Sequence, residues 1–177
     1  MPDRVVVAPY DPTWPREFEA ESKRILRALR DNVLSVHHIG STAVPGASAK
    51  PIIDILLEVH DVVRLDGQTG AMEDLGYEAM GEFGIPGRRY FRKSNRSGLR
   101  THHVHAFQSG SAEIERLLAF RDYMIAHPAE AQAYGALKRE LARAHPEDRQ
   151  AYVDGKDEFV KEHEAKALNW RRSSMGK

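Results

Sequence analysis

Apolar positions recur with a helical period in some stretches of the chain and with a strand period in others, and this alternation sets the expected elements. Trp14, Phe18, Ile25 and Leu29 fall at i, i+4, i+11 and i+15, one face of a helix running to about residue 30. Asp11 or Thr13 can cap that helix, with a proline just inside its start in either case. Residues 5–7, all valine, and residues 33–40, which alternate weakly, read as strands. Residues 40–49 are small and turn-rich and predict a loop with at most one helical turn. Residues 51–59 are almost continuously apolar, broken by Asp54 and Glu58, which predicts a central strand covered on both faces. A helix over 61–75 would be stopped by Gly76, although Gly67 and Gly70 weaken it. Residues 77–83, 89–93 and 99–107 read as further strands, joined by loops over 84–87 and 94–98.

From Ser111 the texture becomes helical, with breaks at His127-Pro128 and His145-Pro146. Ile114, Leu117, Leu118 and Met124 form one apolar stripe, Tyr134, Leu137 and Leu141 a second, and Tyr152, Phe159 and Val160 a third. The expected fold class is therefore α+β, a mixed α/β sheet unit over residues 1–110 with helices over 111–170 packed on it as a C-terminal cap. Residues 171–177 are expected to fray. A chain of 177 residues is long enough for one domain with one core.

Composition narrows the chemistry. There is no cysteine, so disulfides, thiolate metal sites, Fe–S clusters and cysteine nucleophiles are excluded. No apolar stretch approaches the ~18–20 residues that a membrane helix needs. The first residues, Met1-Pro2-Asp3-Arg4, lack the apolar run of a signal peptide, so a cytoplasmic protein that does not contact membrane is expected.

Lys plus Arg is 26 and Asp plus Glu is 26, which argues against a uniformly basic nucleic-acid surface. The even total hides two opposed segments. Residues 54–82 carry eight acids and one base, Arg64, whereas residues 83–112 carry no acid and six bases: Arg88, Arg89, Arg92, Lys93, Arg96 and Arg100. His102, His103 and His105 lie in the same basic segment. Either these side chains pair with the acidic stretch before them, or they form an anion site suited to phosphate. With only Tyr90 and Phe91 interleaved, a small phosphorylated ligand is expected in preference to RNA.

The most specific motif is His38-Ile39-Gly40-Ser41-Thr42, followed on the next strand by Pro51-Ile52-Ile53-Asp54-Ile55. A Gly-Ser pair leaving a strand lets the backbone approach an anion and offers N–H groups and a hydroxyl to phosphate oxygens. An Asp on the neighbouring strand is where a divalent metal bridging those oxygens would be held. Strand, Gly-Ser, short helix, strand and Asp is the opening pattern of the nucleotidyltransferase superfamily. The longer string Gly40-Ser41-Thr42-Ala43-Val44-Pro45-Gly46, then Ala49-Lys50-Pro51-Ile52-Ile53-Asp54, closely resembles the GrpB (UPF0157) family. Pro9-Tyr10-Asp11-Pro12 with Trp14-Pro15, Arg89-Tyr90-Phe91-Arg92-Lys93 and Thr101-His102-His103-Val104-His105-Ala106-Phe107 look like the same family. So do Phe120-Arg121-Asp122-Tyr123, Leu137-Lys138 and Tyr152 with Lys156. The resemblance spans about residues 5–160. It implies a nucleotidyltransferase-type mixed sheet, and the fusion of some relatives to dephospho-CoA kinase hints at a nucleotide- or phosphate-related role.

One departure bears on activity. Active nucleotidyltransferases usually place carboxylates at i and i+2 on that strand, but Leu56 stands at i+2 from Asp54. Glu58 is roughly 13–14 Å along from Asp54, against about 7 Å for an i,i+2 pair, too far to share one ion without a bulge. Asp54 itself lies among Ile52, Ile53, Ile55 and Leu56, and a carboxylate there calls for a partner or a metal.

His103 and His105 alternate onto one strand face, opposite His102 and Val104, and with Asp54 could hold one ion. A divalent metal, Mg, Mn or Zn, is the expected cofactor, and the imidazoles favour a transition metal over Mg. Asp54, His103 and His105 are thus the candidate catalytic and metal residues, the imidazoles serving alternatively as general acid or base. Gly40, Ser41, Thr42, Lys50, Arg89, Arg92 and Lys93 are the candidate nucleotide ligands, and His38 could line the same pocket. On a strand Arg89, Phe91 and Lys93 share one face and Arg88, Tyr90 and Arg92 the other, so only one set can meet the site. Arg89 with Lys93 and Arg92 with Tyr90 are the two candidate sets. Lys156 is a second candidate phosphate ligand, and Arg121-Asp122 reads as an ion pair. The leading expectation is nucleotidyl transfer to a small acceptor. The rivals are a non-catalytic nucleotide- or phosphate-binding domain and a His/Asp metal-dependent hydrolase.

Overall fold

The computed structural model describes residues 4–175. The elements run α1 (Trp14–Leu29), β1 (Val33–Ile39), β2 (Ile53–Val59), α2 (Val62–Asp66), α3 (Thr69–Asp74) and β3 (Glu78–Ala79). They continue with β4 (Arg89–Ser94), β5 (Arg100–Gln108), α4 (Ala112–Ala126), α5 (Pro128–Ala144) and α6 (Arg149–Met175). They form two compact units. A sheet unit comprises Thr13–Gly40 and Ile52–Ile114, and a helical unit comprises residues 4–12, 41–51 and 115–175. Residues 4–12 and 41–51 go with the helices, whereas the sheet unit expected from the sequence includes them.

The mixed α/β architecture is the one expected. Five strands are ordered β1-β2-β5-β4-β3. The central pair, β2 and β5, runs parallel, and every other pair is antiparallel. Residues 53–59 are inaccessible except at Asp54 and Glu58, which fits the near-continuous apolar pattern of a strand covered on both sides. Register sets the two faces. Asp54 lies beside His103, which pairs with Arg92, and His105 pairs with Tyr90; these side chains share one face. His38, Ile55, Val104 and Phe91 share the other, as do His102 and Lys93.

That second face meets α1. Thr13 takes the N-cap position, with Pro15 in the first turn, and Ile25 and Leu29 are fully buried. Phe18 stacks on His38 with ring centroids 4.8 Å apart, so His38 faces away from Asp54. Glu21 interrupts the apolar stripe of α1 and is 2% exposed. Its carboxylate accepts hydrogen bonds from Lys93 Nζ at 2.6 Å, Tyr77 Oη at 2.8 Å and Arg24 Nη1 at 3.3 Å. Burial raises the Glu21 carboxyl pKa, but the bonds from Lys93 and Tyr77 outweigh it and the net shift is downward.

Three expected elements differ. The valines at 5–7 form no strand; the segment is tied down by an isolated bridge between Ala8 and Ala49 and by Val5 N–H bonding to Pro146 O at 3.0 Å. The helix expected over 61–75 breaks into α2 and α3 at Gly67-Gln68. Asp61 caps α2 by accepting from the N–H groups of Val63 and Arg64, and Gly67 ends it. The strand expected over 77–83 shortens to β3 because Gly81, Phe83 and Gly84 adopt positive φ, which a ladder cannot accommodate.

In the helical unit, Val44, Ala47, Met124, Ala131 and Tyr134 form a core on which Phe120, Phe159 and Val160 pack. Pro128 opens α5 after His127, at the break that the sequence marks. The fraying expected over 171–177 does not begin at 171, since α6 continues to Met175; residues 176–177 lie outside the described residues. Among the described residues no helix is long and apolar enough to cross a membrane.

Candidate functional site

Parallel pairing of β2 with β5 brings Asp54 beside His103 and Leu56 beside His105, so the two imidazoles bracket one carboxylate. His103 Nδ1 lies 3.4 Å and His105 Nε2 3.3 Å from Asp54 Oδ1. The three residues offer ligand atoms that all lie within 4.8 Å of one another. The Asp54 side chain keeps 30% of its surface exposed, so solvent and small ions can reach it. Burial raises its pKa, but the hydrogen bonds from His103 and His105 more than reverse that, and the carboxyl is held well below the ordinary carboxylate range. Asp54 is therefore ionised at neutral pH.

Gly40 closes the other side of the carboxylate. It has φ of +74°, and a Cβ built there would lie 2.7 Å from Asp54 Oδ2. Both the backbone conformation and the space demand glycine.

Around this centre stand Tyr90 and Arg88, both from the strand face that alternation assigns to Arg88, Tyr90 and Arg92. Tyr90 packs its ring 5.5 Å from His103 and 5.4 Å from His105. Arg88, only 8% exposed, points Nη1 at His105 Nδ1 over 3.3 Å. Arg88 precedes the first residue of β4, yet strand alternation puts it on the face of Tyr90 and Arg92, and from there it reaches His105. The Nε2 of His103 is buried and has no hydrogen-bond partner. Glu58 lies apart from the cluster and accepts a hydrogen bond from Ser35 Oγ at 2.8 Å, as expected for a carboxylate too distant to share an ion with Asp54.

The basic residues assigned to a nucleotide do not gather here. Arg89 and Lys93 lie on the opposite sheet face, Arg89 bound to Asp66 at 2.6 Å and Lys93 to Glu21 at 2.6 Å. Arg92 shares the face of His103 but is held by Glu78 at 3.0 Å. Two arginines of the acid-free window thus pair with the acidic stretch before it, and Lys93 answers a carboxylate on α1.

In the helical unit the 3-10 turn Ser41–Ala43 has its own cationic surroundings. Lys138 is 4% exposed; its Nζ donates to Ser41 Oγ at 2.6 Å and to Ser48 O at 2.7 Å, and lies 4.4 Å from the Tyr134 ring centroid. Arg139 Nη1 donates to Ser48 Oγ at 2.8 Å. Thr42 is buried. Lys50 and Lys156 place their ammonium groups 4.6 and 5.0 Å from the ring centroid of Tyr152. The Tyr152 hydroxyl is buried without a hydrogen-bond partner, and burial pushes its pKa up to about 12. Lys138 falls inside the stripe of Tyr134, Leu137 and Leu141, and a lysine in that position was the signal for it. Arg121 and Asp122 pair as expected, at 2.8 Å, and Arg171 joins them.

The family model described as GrpB protein matches residues 4–166. UPF0157 protein YqkA of Bacillus subtilis is 41% identical over 169 residues, covering 96% of this chain and 49% of YqkA. UPF0157 protein PA4798 of Pseudomonas aeruginosa is 44% identical over 150 residues, covering 80% of this chain and 58% of that protein. The chain thus spans only about half the length of these two relatives. The crystal structure of conserved protein GrpB from Enterococcus faecalis superposes with a TM-score of 0.89 at 46% identity, covering 94% of this chain and 99% of that one. Cid1 poly(U) polymerase is a remote neighbour, with a TM-score of 0.47 at 8% identity over 75% of this chain and 45% of its own. A likeness that slight says nothing about function.

Proposed function

Because the chain belongs to the GrpB family, and because its matched region includes both the Asp54 cluster and the Ser41 turn, we propose that it is a metal-dependent protein acting on a nucleotide or another phosphorylated small molecule. The observation that carries this reading is the convergence of one ionised carboxylate and two imidazoles on a partly open point of the sheet. Two nitrogens and one oxygen suit Zn, Mn or Fe rather than Mg. A paired-carboxylate Mg site does not fit, since the i+2 position holds a fully buried leucine, Leu56.

Asp54 would supply charge, with His103 and His105 as the nitrogen ligands, and an ion held there would act as a Lewis acid toward a phosphate oxygen. Separately, Ser41 with Lys138, and Lys50 with Lys156, are the groups that would bind phosphate oxygens in the helical unit. Nucleotidyl transfer to a small acceptor is the finer reading, and the acceptor is unassigned. A second reading, a binding domain without catalysis, is favoured by one observation. Arg89, Arg92 and Lys93 are committed to ion pairs rather than to a triphosphate.

A thermal-shift panel of nucleoside triphosphates with Zn²⁺, Mn²⁺ or Mg²⁺ tests the proposal. A ligand at 100 times its dissociation constant stabilises by about 2.7 kcal/mol. The expected result is a metal-dependent shift that disappears in Asp54→Ala, and a nucleotide-dependent shift that disappears in Ser41→Ala. No shift with any metal or nucleotide overturns it. A nucleotide shift that needs no metal and survives Asp54→Ala selects the binding-only reading.

A further inference from the structure

Arg88 joins the His–Asp centre to a loop in an unusual backbone conformation. A guanidinium has hydrogen-bond donors and no acceptor, so His105 Nδ1, 3.3 Å from Arg88 Nη1, must be the acceptor. A neutral imidazole that accepts at Nδ1 carries its proton on Nε2, and that nitrogen faces Asp54 Oδ1 at 3.3 Å. Without an ion, His105 therefore donates to Asp54 and has no lone pair to offer a metal on that side. To ligate through Nε2 it must move its proton to Nδ1, which then confronts the guanidinium donor to donor. Arg88 has to leave His105 before the ligand set is complete.

The same guanidinium holds the chain at residues 82–83. Arg88 Nε donates to Glu82 O at 3.1 Å and Nη2 to Phe83 O at 2.8 Å. Phe83 has φ of +47°, in the left-handed region that a bulky residue normally avoids. It remains there although 56% exposed, with its ring stacked on Tyr90 at 5.3 Å. Burial does not explain a phenylalanine in this conformation; the Arg88 clasp and the Tyr90 stack do.

We propose that Arg88 is a positioning residue that sets the tautomer of His105 and couples occupancy of the metal centre to the clasp on Phe83, so that ion binding and the clasped loop oppose one another. The coupling rests on the metal reading of Asp54, His103 and His105. By linkage it is reciprocal: an ion loosens the loop by the factor by which the clasp weakens the ion.

The test uses the full chain and Zn²⁺ alone. Nitrogen-15 NMR of the ion-free protein is expected to show His105 protonated on Nε2 and bare on Nδ1. Saturating Zn²⁺ is expected to quicken backbone hydrogen exchange over residues 81–88. Removing the clasp with Arg88→Met is expected to tighten Zn²⁺ binding on the order of tenfold, the scale of one hydrogen bond to a charged group. In that variant Zn²⁺ should leave loop exchange unchanged. Arg88→Lys, which keeps the charge but cannot span all three acceptors, should fall between the two and guards against a misfolded methionine variant. A proton on Nδ1 in the ion-free protein overturns the proposal, as does Zn²⁺ binding with no change in loop exchange. Failure of both the wild type and Arg88→Met to bind Zn²⁺ overturns the metal reading and the coupling together.

Discussion

Two carboxylates occupy opposite faces of one sheet, and β5 serves both: His102 turns toward Glu21, while His103 and His105 turn toward Asp54. Glu21 is sealed from solvent and answered by permanent cations and a phenol, Lys93, Arg24 and Tyr77. Asp54 is partly open and is answered by imidazoles, which can give up a proton or exchange it for an ion. A buried carboxylate bonded to three fixed donors is a structural clamp, here fastening α1 to β4. One that depends on titratable donors and remains reachable is suited to chemistry.

The contrast is broken most forcefully at Lys93. Lys93→Met leaves the Glu21 charge buried with its closest cation gone, and such a loss costs about 3–5 kcal/mol. A thermal melt should fall on the order of 10 °C for a chain of this size. Tyr77→Phe removes one hydrogen bond donated to the charged Glu21 carboxylate and should cost about 2 kcal/mol by urea denaturation, without altering Zn²⁺ binding. Gly40→Ala acts on the other face. The left-handed backbone costs about 1–2 kcal/mol for alanine, and the new methyl group would press on Asp54, so this variant should also weaken Zn²⁺ binding in a titration.

The smallest effect is a pH slope at His102. Burial lowers its pKa below the ordinary 6.5, more than the opposing Glu21 charge raises it. The native state therefore prefers the neutral ring. That contribution is complete above about pH 6.5, the unfolded value, and is lost as the pH falls through the depressed native value. Urea titrations across this range should show a shallower acid-side decline in His102→Gln than in the wild type. An unchanged decline would mean that His102 does not titrate differently in the native state.

Strand periodicity made much of the centre legible. The period of two put His103 and His105 together and His102 opposite, and the interrupted apolar run singled out Asp54. Periodicity could not say which basic set shared that face, because the answer depends on the register between β4 and β5. The charge pattern offered pairing with the acidic stretch as one alternative, but it could not say that Asp66 and Glu78 are the partners of Arg89 and Arg92. The residues it missed, Glu21 and Lys138, share a signature: each is a charged side chain set inside an otherwise apolar helical stripe. A charge in such a stripe marks a buried network. Arg88 lacked this signature; alternation put it on the face of Tyr90 and Arg92, but its hold on the carbonyls of Glu82 and Phe83 depends on a loop with positive φ angles.

Calorimetric titration of Zn²⁺ into the metal-stripped wild type, Asp54→Ala and Tyr77→Phe tests the distinction between the two carboxylates most directly. One ion per chain in the wild type and in Tyr77→Phe, with none in Asp54→Ala, is the predicted result. Wild-type stoichiometry and affinity retained in Asp54→Ala would contradict it.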